Sequence, residues 1–223
     1  GLPPPGLSIA SQLQGRPWRR LVCILTIRDE DELLPRFIRH YRRLGVKSFI
    51  VIDNASANDP AVILEGFKDC EITLVRGPGR FADSRNGIMW VNEIAELGLS
   101  DWLLLVDGDE LLLYPGSGNV PIATLLEHMD RRGETAFMAP MMDVYDSGFA
   151  SGASVSSNPD DHVLIDADLI FEHSLLAPWK KIQGGVRTSI VGNLVKTPLF
   201  KASAGVRRLN NHNVTSCRLA ATT

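Results

Sequence analysis

Apolar and polar residues alternate in blocks along the first half of the chain, and the blocks predict strands that are each followed by a helix. Mainly apolar runs that predict strands occupy residues 21–27, 49–52, 72–75 and 102–106, and the uninterrupted run at residues 102–106 is typical of a strand buried on both faces. Patterns typical of helices with one apolar face occupy residues 33–44, 60–67 and 82–97. Strands that alternate with helices need crossover connections, and crossovers make neighbouring strands parallel. The pattern therefore predicts an α/β fold around a mostly parallel central sheet.

The second half of the chain is less regular. A helix is expected over residues 122–132 and a strand over residues 136–141. Residues 196–200 predict an edge or irregular strand, because Pro198 has no N–H to donate to a neighbouring strand. No repeat or shift in composition marks a second domain, so residues 21–223 are interpreted as a single domain.

The first twenty residues differ from the rest in composition. They are rich in Pro, Gly and Ser, which predicts a flexible arm over residues 1–20. Trp18 and the two arginines after it leave peripheral contact with a membrane surface or a partner open. The sequence lacks an apolar run of about 18 residues, the length needed to cross a bilayer, so no transmembrane segment is expected.

Composition and charge narrow the classes of function. Of the 223 residues, 44% are hydrophobic and 22% are charged, as in ordinary soluble globular proteins. The formal net charge of -3 creates no field that would favour nucleic acid as a partner. Cys23, Cys70 and Cys217 are odd in number and lack metal-ligand spacing, which predicts reduced thiols in a cytoplasmic protein.

An acidic turn directly follows the apolar run at residues 102–106. Asp107 and Asp109 are two positions apart, so on an extended chain both side chains leave the same face, about 6.6 Å apart. Gly108 between them lets a ligand approach the backbone closely. Oxygen ligands at this spacing suit a Mg²⁺ or Mn²⁺ ion that also holds a substrate phosphate. The alternative is a solvated acidic turn after a strand.

Polar residues also follow the first two predicted strands, at residues 28–30 and 53–59. In an open parallel sheet, ligands bind beyond the carboxyl ends of the strands. Both segments and the acidic turn at residues 107–110 fall at such ends. The sequence therefore predicts one ligand site to which three loops contribute.

Four segments of the chain resemble the GT-A glycosyltransferases, and more narrowly the family-2-like bacterial branch whose first strand ends in a Lys-Asn-Glu-type turn. They are LTIRDEDELLPRFIRHYRRLGV, VIDNASAND, FADSRNGIMW and LLLVDGDELL, and the resemblance extends over residues 20–215. It implies a GT-A, Rossmann-like three-layer sandwich. It also implies transfer of a sugar from a UDP- or GDP-sugar to a hydroxyl acceptor on a glycan, lipid or other molecule, with Mn²⁺ or Mg²⁺ as cofactor.

The resemblance implies substrate-binding roles for three residues in addition to the acidic turn. Asp53 would hold the base or ribose, and the alternative is that it caps its own turn. Arg85 would reach the base or diphosphate, and the alternative is a surface arginine in the first turn of a helix. Arg187 would face the leaving diphosphate, where a cation stabilises the charge that develops.

The metal ligands implied by the resemblance lie in the acidic turn and near the end of the chain. Asp107 would lie near both the ribose and the metal, and Asp109 would bind the metal directly, with Glu110 orienting them. His212 would be a late metal ligand, and the alternative is a structural histidine.

A carboxylate must take the proton of the acceptor hydroxyl if the reaction inverts the anomeric centre. Asp143 is preferred because it directly follows the run over residues 136–142, whose strand geometry would hold it most firmly. The other candidates are Asp146, Asp166, Asp168 and Glu172. The alternative for Asp143 is a solvated residue at a strand end.

Two features depart from the pattern of the branch. Asp29 stands where the branch has Asn, which places an extra carboxylate near the nucleotide or in a structural salt bridge. The chain ends soon after His212, where relatives continue through another His-bearing segment, so a truncated C-terminal end is one interpretation.

Two other classes of protein compete with the glycosyltransferase. One is a GT-A-shaped module that binds a nucleotide sugar without turnover. The other is a phosphohydrolase of the haloacid-dehalogenase type, because VDGDE superficially matches the Asp-x-Asp-Gly loop of that class. The acidic motif follows three predicted strands instead of opening the domain, which disfavours the phosphohydrolase.

Overall fold

The computed structural model describes residues 7–16, 18–141, 144–146, 163–165, 170–172, 180–182, 195–202 and 219–221. The chain divides into two compact units, which are Gly1–Met138 with Thr197–Thr223, and Ala139–Lys196. The interpretation of residues 21–223 as one domain stays a prediction.

The described residues form helices and strands that alternate through the first half of the chain. The helices are α1 (Ile9–Leu13), α2 (Leu33–Arg43), α3 (Ala61–Leu64), α4 (Ile88–Glu96) and α5 (Ile122–Arg131). The strands are β1 (Leu21–Ile27), β2 (Ser48–Asp53), β3 (Glu71–Arg76), β4 (Trp102–Leu105), β5 (Ala136–Pro140), β6 (Val144–Asp146), β7 (Val163–Ile165), β8 (Ile170–Glu172), β9 (Lys180–Ile182), β10 (Val195–Lys201) and β11 (Leu219–Ala221).

A mixed sheet of mostly parallel strands forms the centre of the first unit. Its strand order is β11-β5-β10-β4-β1-β2-β3. Strand β1 runs parallel to both β2 and β4, and β2 runs parallel to β3. Strand β10 is antiparallel to β4, and β11 is parallel to β5. The predicted α/β fold with a mostly parallel sheet is therefore confirmed. In the second unit, β6 pairs with β7 and β8 with β9, both antiparallel.

One face of the sheet packs against α1 and α4. The cluster on this face contains Val22, Ile24, Ile50, Ile52, Val75 and Leu103 from the strands and Ile9, Leu13, Trp90, Val91 and Ile94 from the helices. Adjacent residues of a strand point to opposite faces. Cys23 and Phe49, which are also buried, therefore lie on the other face.

Helix α2 covers that other face. Its buried side chains recur at the spacing of one helical stripe, at Leu34, Phe37, Ile38 and Tyr41. Burial raises the pKa of the Tyr41 hydroxyl, and the neighbouring Cys23 thiol contributes in the same direction. Helices thus lie on both faces of the sheet, in three layers.

The expected flexible arm is packed in part. Helix α1 lies within it, and Ile9 and Leu13 are buried one helical turn apart against α4 and β3. The Gln12 side chain donates to the carbonyl of Arg76 at 2.9 Å and accepts from its N–H at 2.8 Å. The flexible arm is therefore wrong for residues 9–13, because two apolar side chains at helical spacing outweigh the Pro, Gly and Ser around them.

The residues between α1 and β1 are also held by the fold. Trp18 packs against the core cluster. Arg19 forms an ion pair with Glu71 at 2.6 Å, and Arg20 forms one with Asp130. These partners place Trp18, Arg19 and Arg20 on the surface of the sheet unit. None of the helices in the described part of the chain is long and apolar enough to cross a membrane.

The strand at Val195–Lys201 lies inside the sheet, between β4 and β5, and not at an edge. Its register pairs Leu199 with Leu104 and Phe200 with Leu103, and both partners of each pair are buried. The prediction of an edge strand was wrong because it rested only on the missing N–H of Pro198 and took no account of the strands that pair with this segment. Burial of Leu199 and Phe200 decides the position of this strand.

Candidate functional site

The carboxyl ends of β1, β2, β3 and β4 meet at one edge of the sheet, because these strands are parallel. From β1 the chain runs outward through β2 to β3, and it then returns to β4 on the other side of β1. The strand order therefore reverses between β1 and β4. A crevice forms at such a reversal in open α/β sheets, and ligands bind there. The loops that follow β1 and β4 flank it.

Glu30, from the loop after β1, contacts Gly108, from the loop after β4. A Cβ atom at position 108 would lie 2.5 Å from Glu30 Oε2, so a larger residue there would displace this carboxylate. Glu30 Oε2 is shielded from solvent and has no hydrogen-bond partner among the described residues. Burial raises the pKa of Glu30, and the negative charges of Asp109 and Asp107 raise it further. Three carboxylates therefore gather at the crevice, which is unfavourable without a cation.

The acidic turn after β4 is closed by its own hydrogen bonds. The N–H of Asp107 donates to Glu110 Oε2 at 3.0 Å, and the N–H of Glu110 donates to the carbonyl of Asp107, also at 3.0 Å. The side chains of Asp107 and Asp109 are exposed. Glu110 thus shapes the turn, and the two aspartates are accessible to a ligand.

The donors at this turn suit a hard divalent cation. Glu30, Asp107 and Asp109 supply carboxylate oxygens, and the shielded Glu30 Oε2 has no hydrogen-bond partner in the part of the chain that the structure describes. Within the described residues, no group of three or more His, Cys, Asp or Glu side chains is arranged to hold a metal ion by itself. This arrangement fits Mg²⁺-type binding, in which one or two carboxylates share the ion with substrate phosphates.

Asp53 lies at the end of β2 and is 1% exposed. Its Oδ1 accepts a hydrogen bond from the N–H of Ser56 at 3.0 Å. Its backbone joins two neighbouring strands, because the N–H of Gly77 donates to the carbonyl of Asp53 at 2.9 Å. This geometry matches the turn-capping alternative for Asp53, which shapes the loop after β2.

A second hydrogen-bonded pair ties the loop after β1 to the loop after β2. The N–H of Asp29 donates to Ser56 Oγ at 3.0 Å, and Asp29 Oδ1 accepts from the N–H of Ala57 at 2.7 Å. Asp29 and Ala55 both have left-handed backbones, with φ of 56° and 60°. The carboxylate that replaces the Asn of the resembling branch is thus used between two loops.

A cleft of about 620 Å³ lies beside these loops. It is lined by Thr26, Ile27, Arg28, Glu30, Asn54, Ala55, Gly79, Arg80, Phe81 and Ala82. The ion pairs of its two arginines are long and exposed, at 3.8 Å from Arg28 to Asp29 and 3.9 Å from Arg80 to Asp83. Such pairs are weak in water, so both guanidinium groups can turn towards an anionic ligand. Glu30 joins this cleft to the acidic turn.

Arg85 lies before α4 and not in its first turn. Helix α4 begins at Ile88, with Gly87 at its N-cap position. Arg85, Asn86 and Gly87 have left-handed backbones, with φ of 54°, 56° and 79°. The helix expected from residue 82 therefore starts six residues later, because three successive left-handed residues cannot belong to it. Arg85 is exposed and lines a groove of about 540 Å³ along α4.

The segment after the acidic turn is bound to α2 through two side chains. The Tyr41 hydroxyl donates to the carbonyl of Glu110 at 3.0 Å and accepts from the N–H of Leu112 at 2.9 Å. His40 Nε2 lies 3.1 Å from the carbonyl of Leu112. Tyr41 lies in the helix predicted over residues 33–44, whose pattern marks its apolar face but not a hydrogen bond from the hydroxyl of this residue.

Three expected site residues, Asp143, Arg187 and His212, lie outside the described residues. Among the other candidates for the general base, Asp146 and Glu172 lie in β6 and β8, of which the backbone is described. The structure thus places Asp107, Asp109 and Asp53 at the same edge of the sheet. Arg28 and Glu30 lie in the segment 28–30 that was predicted to contribute to the site, and the structure adds Arg80, for which no role was predicted.

The sequence matches no protein family and no curated protein. Solved structures resemble it in part. TarS 1-349 of S. aureus in complex with UDP-GlcNAc is 13% identical with a TM-score of 0.39, over 55% of this chain and 34% of that chain. The mannosyltransferase PcManGT from Pyrobaculum calidifontis, in complex with GDP-Man and Mn²⁺, is 18% identical with a TM-score of 0.41, over 58% and 40%.

A third similar structure is a 4-diphosphocytidyl-2C-methyl-D-erythritol synthase, 14% identical with a TM-score of 0.38, over 84% of this chain and 77% of that chain. The resembling structures thus include transferases and proteins in complex with nucleotide sugars. The matches cover less than two thirds of these proteins, at 34% to 57% of TarS 1-349 and 40% of the mannosyltransferase. Identities and TM-scores are low, so the function is inferred from the residues of this chain.

Proposed function

We propose that this chain is a metal-dependent glycosyltransferase of GT-A type that moves a sugar from a UDP- or GDP-sugar to a hydroxyl acceptor. The observation that carries the proposal is the meeting of Glu30, Asp107 and Asp109 at the reversal of strand order, beside a cleft lined by two arginines. Carboxylates on one side and guanidinium groups on the other suit a ligand that combines phosphates with a divalent cation.

Each loop then has its own part in binding the donor. Arg28 and Arg80 line the cleft and would pair with the diphosphate. Asp53 would hold the loop after β2 in shape beside the nucleoside, because its carboxylate caps that loop. Arg85 and Arg187 are proposed as further contacts to the donor.

The acidic turn would hold the cation, which is Mn²⁺ or Mg²⁺. Asp109 would bind it directly and Asp107 would lie between the cation and the ribose. Glu30, whose Oε2 lacks a partner among the described residues, would add a negative charge beside them. When bound, such a cation stabilises the charge that develops on the leaving diphosphate. His212 is proposed as an additional ligand and Asp143 as the base that takes the acceptor's proton.

A thermal-shift titration tests the proposal. UDP or GDP at about a hundred times its dissociation constant adds about 2.7 kcal/mol to the free energy of unfolding. For a domain of this size, that raises Tm by about 5 to 10 °C. We expect the rise to need Mn²⁺ and to disappear in Asp109→Asn. The matched control is Asp101→Asn, because Asp101 is an exposed aspartate directly before β4, at the end of the strand away from the acidic turn.

The competing classes give different results in the same assay. Stabilisation by beryllofluoride with Mg²⁺, and not by a nucleotide, would favour the phosphohydrolase. A second assay follows release of nucleoside diphosphate from a panel of nucleotide sugars with and without Mn²⁺. Metal-dependent nucleotide binding without any such release would favour a binding module.

A further inference from the structure

The segment from Val106 to Tyr114 leaves the sheet after β4 and belongs to no described strand. Its side chains still alternate, because Leu112 and Tyr114 are buried and Leu111 and Leu113 are exposed. A buried backbone outside a sheet needs other hydrogen-bond partners for its N–H and carbonyl groups. Helix α2 supplies them at residues 110–112.

The Tyr41 hydroxyl is the centre of this contact. It donates to the carbonyl of Glu110 at 3.0 Å and accepts from the N–H of Leu112 at 2.9 Å, so both of its main hydrogen-bonding functions are used. Tyr41 is 0% exposed, and its ring packs against Phe37 with 4.6 Å between centroids. The ring therefore has no room to follow the segment if the segment moves.

Helix α2 contacts the acidic loop at a second place. Glu30 precedes its first turn, with the carbonyl of Glu30 accepting from the N–H of Leu34 at 2.9 Å. The side chain of Glu30 lies against Gly108. The acidic turn thus lies between a contact near the start of α2 and a contact two turns further along the helix.

We propose that Tyr41 is a positioning residue for the cation site: its hydroxyl fixes the backbone at residues 110–112 and thereby the orientation of Asp107 and Asp109. This inference rests on the proposed function. Tyr41 itself touches no ligand. It acts through the hydrogen bond from Asp107 N–H to Glu110 Oε2, because fixing the backbone of Glu110 fixes the point from which its side chain reaches back to Asp107.

Loss of any buried tyrosine hydroxyl can perturb a protein, so the test must distinguish the effect of Tyr41 from that general effect. A matched control is therefore needed. Tyr114 provides it. Tyr114 is 6% exposed, and its hydroxyl donates to the carbonyl of Val120 at 2.6 Å. Tyr114→Phe therefore also removes the hydroxyl of a buried tyrosine, but at a turn that lies beyond the acidic one.

The experiment measures binding of Mn²⁺ to the full chain by the electron paramagnetic resonance signal of the free ion, with UDP and separately with GDP. We expect Tyr41→Phe to raise the dissociation constant of Mn²⁺ about tenfold, as loss of an outer contact to metal ligands does. Tyr114→Phe should bind Mn²⁺ as the unchanged protein does. Circular dichroism establishes that both variants are folded.

A second variant keeps the inference testable if Tyr41→Phe does not fold. His40→Leu removes the contact of His40 Nε2 with the carbonyl of Leu112, and we expect it to weaken Mn²⁺ binding in the same direction. If the folded Tyr41 or His40 variant binds Mn²⁺ as tightly as the unchanged protein does, the positioning role of the contact between α2 and residues 110–112 is overturned. The proposed function is not affected by that result. Failure of the unchanged protein to bind Mn²⁺ with either nucleotide would overturn the proposed function and this inference together.

Discussion

The carboxylate of Asp29 accepts a hydrogen bond from the N–H of Ala57 at 2.7 Å, across the gap between the loops after β1 and β2. The N–H of Asp29 in turn donates to Ser56 Oγ. These two bonds hold the edges of the cleft at a fixed separation. One oxygen of the carboxylate is thereby occupied within the protein, so Asp29 fixes the loop after β1 to the loop after β2.

Replacement of Asp29 separates its side-chain bond from its backbone conformation. Asp29→Asn keeps an oxygen acceptor and a residue that tolerates φ of 56°, so we expect the free energy of unfolding to stay nearly unchanged. Asp29→Ala should cost about 1 to 2 kcal/mol, because it loses the bond and retains the left-handed backbone. Urea denaturation measures the free energy of unfolding of both variants. Asp29→Gly, which relieves only the backbone, should fall between them, and equal stability of the Ala and Asn variants would contradict the assignment.

Glu30 makes the stability of the protein depend on pH. Its folded-state pKa is raised above 4.5 by burial and by the charges of Asp109 and Asp107. Between the unfolded and the folded pKa, the folded state keeps the proton of Glu30 and the unfolded state loses it. The stability that this proton provides is therefore complete below the unfolded pKa and is lost as pH rises through the folded pKa. Glu30→Gln, which cannot ionise, should therefore raise Tm at about pH 7 and give little gain at about pH 4.

The measurement for Glu30 is a pair of melting curves at the two pH values, with a chelator present. Glu127→Gln on α5 is the control, since Glu127 is exposed. A gain in Tm that is equal at both pH values would show that packing, and not charge, causes it.

Gly77 allows the loop after β3 to pass over Trp90. A Cβ atom at position 77 would lie 2.7 Å from the Trp90 ring, and this ring is buried in the core cluster. Overpacking of this kind costs about 1 to 3 kcal/mol, so Gly77→Ala should lower Tm by several degrees. Gly118→Ala is the control, because a Cβ atom there meets nothing within 4 Å. An unchanged Tm in Gly77→Ala would mean that the ring moves aside freely.

Asp130 links the start of β1 to the end of β10 through ion pairs with Arg20 and Lys201. Burial acts to raise the pKa of Asp130, but the bonds to Lys201 and Arg20 outweigh it and lower the pKa below 3.8. Its contribution to stability is therefore present above the unfolded pKa and is lost as pH falls through the folded pKa.

Asp130→Asn should lower the free energy of unfolding by about 1 kcal/mol at neutral pH, after allowance for partial exposure of the three side chains. The deficit should shrink in strong acid and in high salt. Urea denaturation at two pH values measures it, with the exposed Asp83→Asn as control. A deficit that persists in acid would show that Asp130 stabilises the fold without its charge.

The central strands could be predicted from sequence because each is marked by a run of apolar residues within its own few positions. Strand β1 extends over Leu21–Ile27 as expected, since a short, mainly apolar run is typical of a strand in the middle of a sheet. The start of α4 could not be predicted, because the left-handed conformations of Arg85 and Asn86 are imposed by the loop around them. The position of β10 could not be predicted either, because it depends on pairing with a strand almost a hundred residues earlier.

The candidate site was predictable to the extent that its residues end strands. Asp107 and Asp109 follow an apolar run, and that context alone marks them. Glu30 required knowledge of which loop lies beside Gly108, which only the strand order supplies. The contact of Tyr41 could not be predicted, because its spacing places it on the buried face of a helix. A residue at such a position is assigned to the core whether or not its hydroxyl binds a neighbouring backbone.

The pairing of Gln12 with Arg76 affects how molecules of this protein meet one another. Strand β3 is the last strand of the sheet on its side, and outermost strands invite a further strand from another copy. The amide of Gln12 already occupies both backbone groups of Arg76, and Arg19 covers the side chain of Glu71 at the opposite end of β3. Gln12 thus protects the end of β3 at Arg76 from fibre-like association, and its replacement would remove this protection.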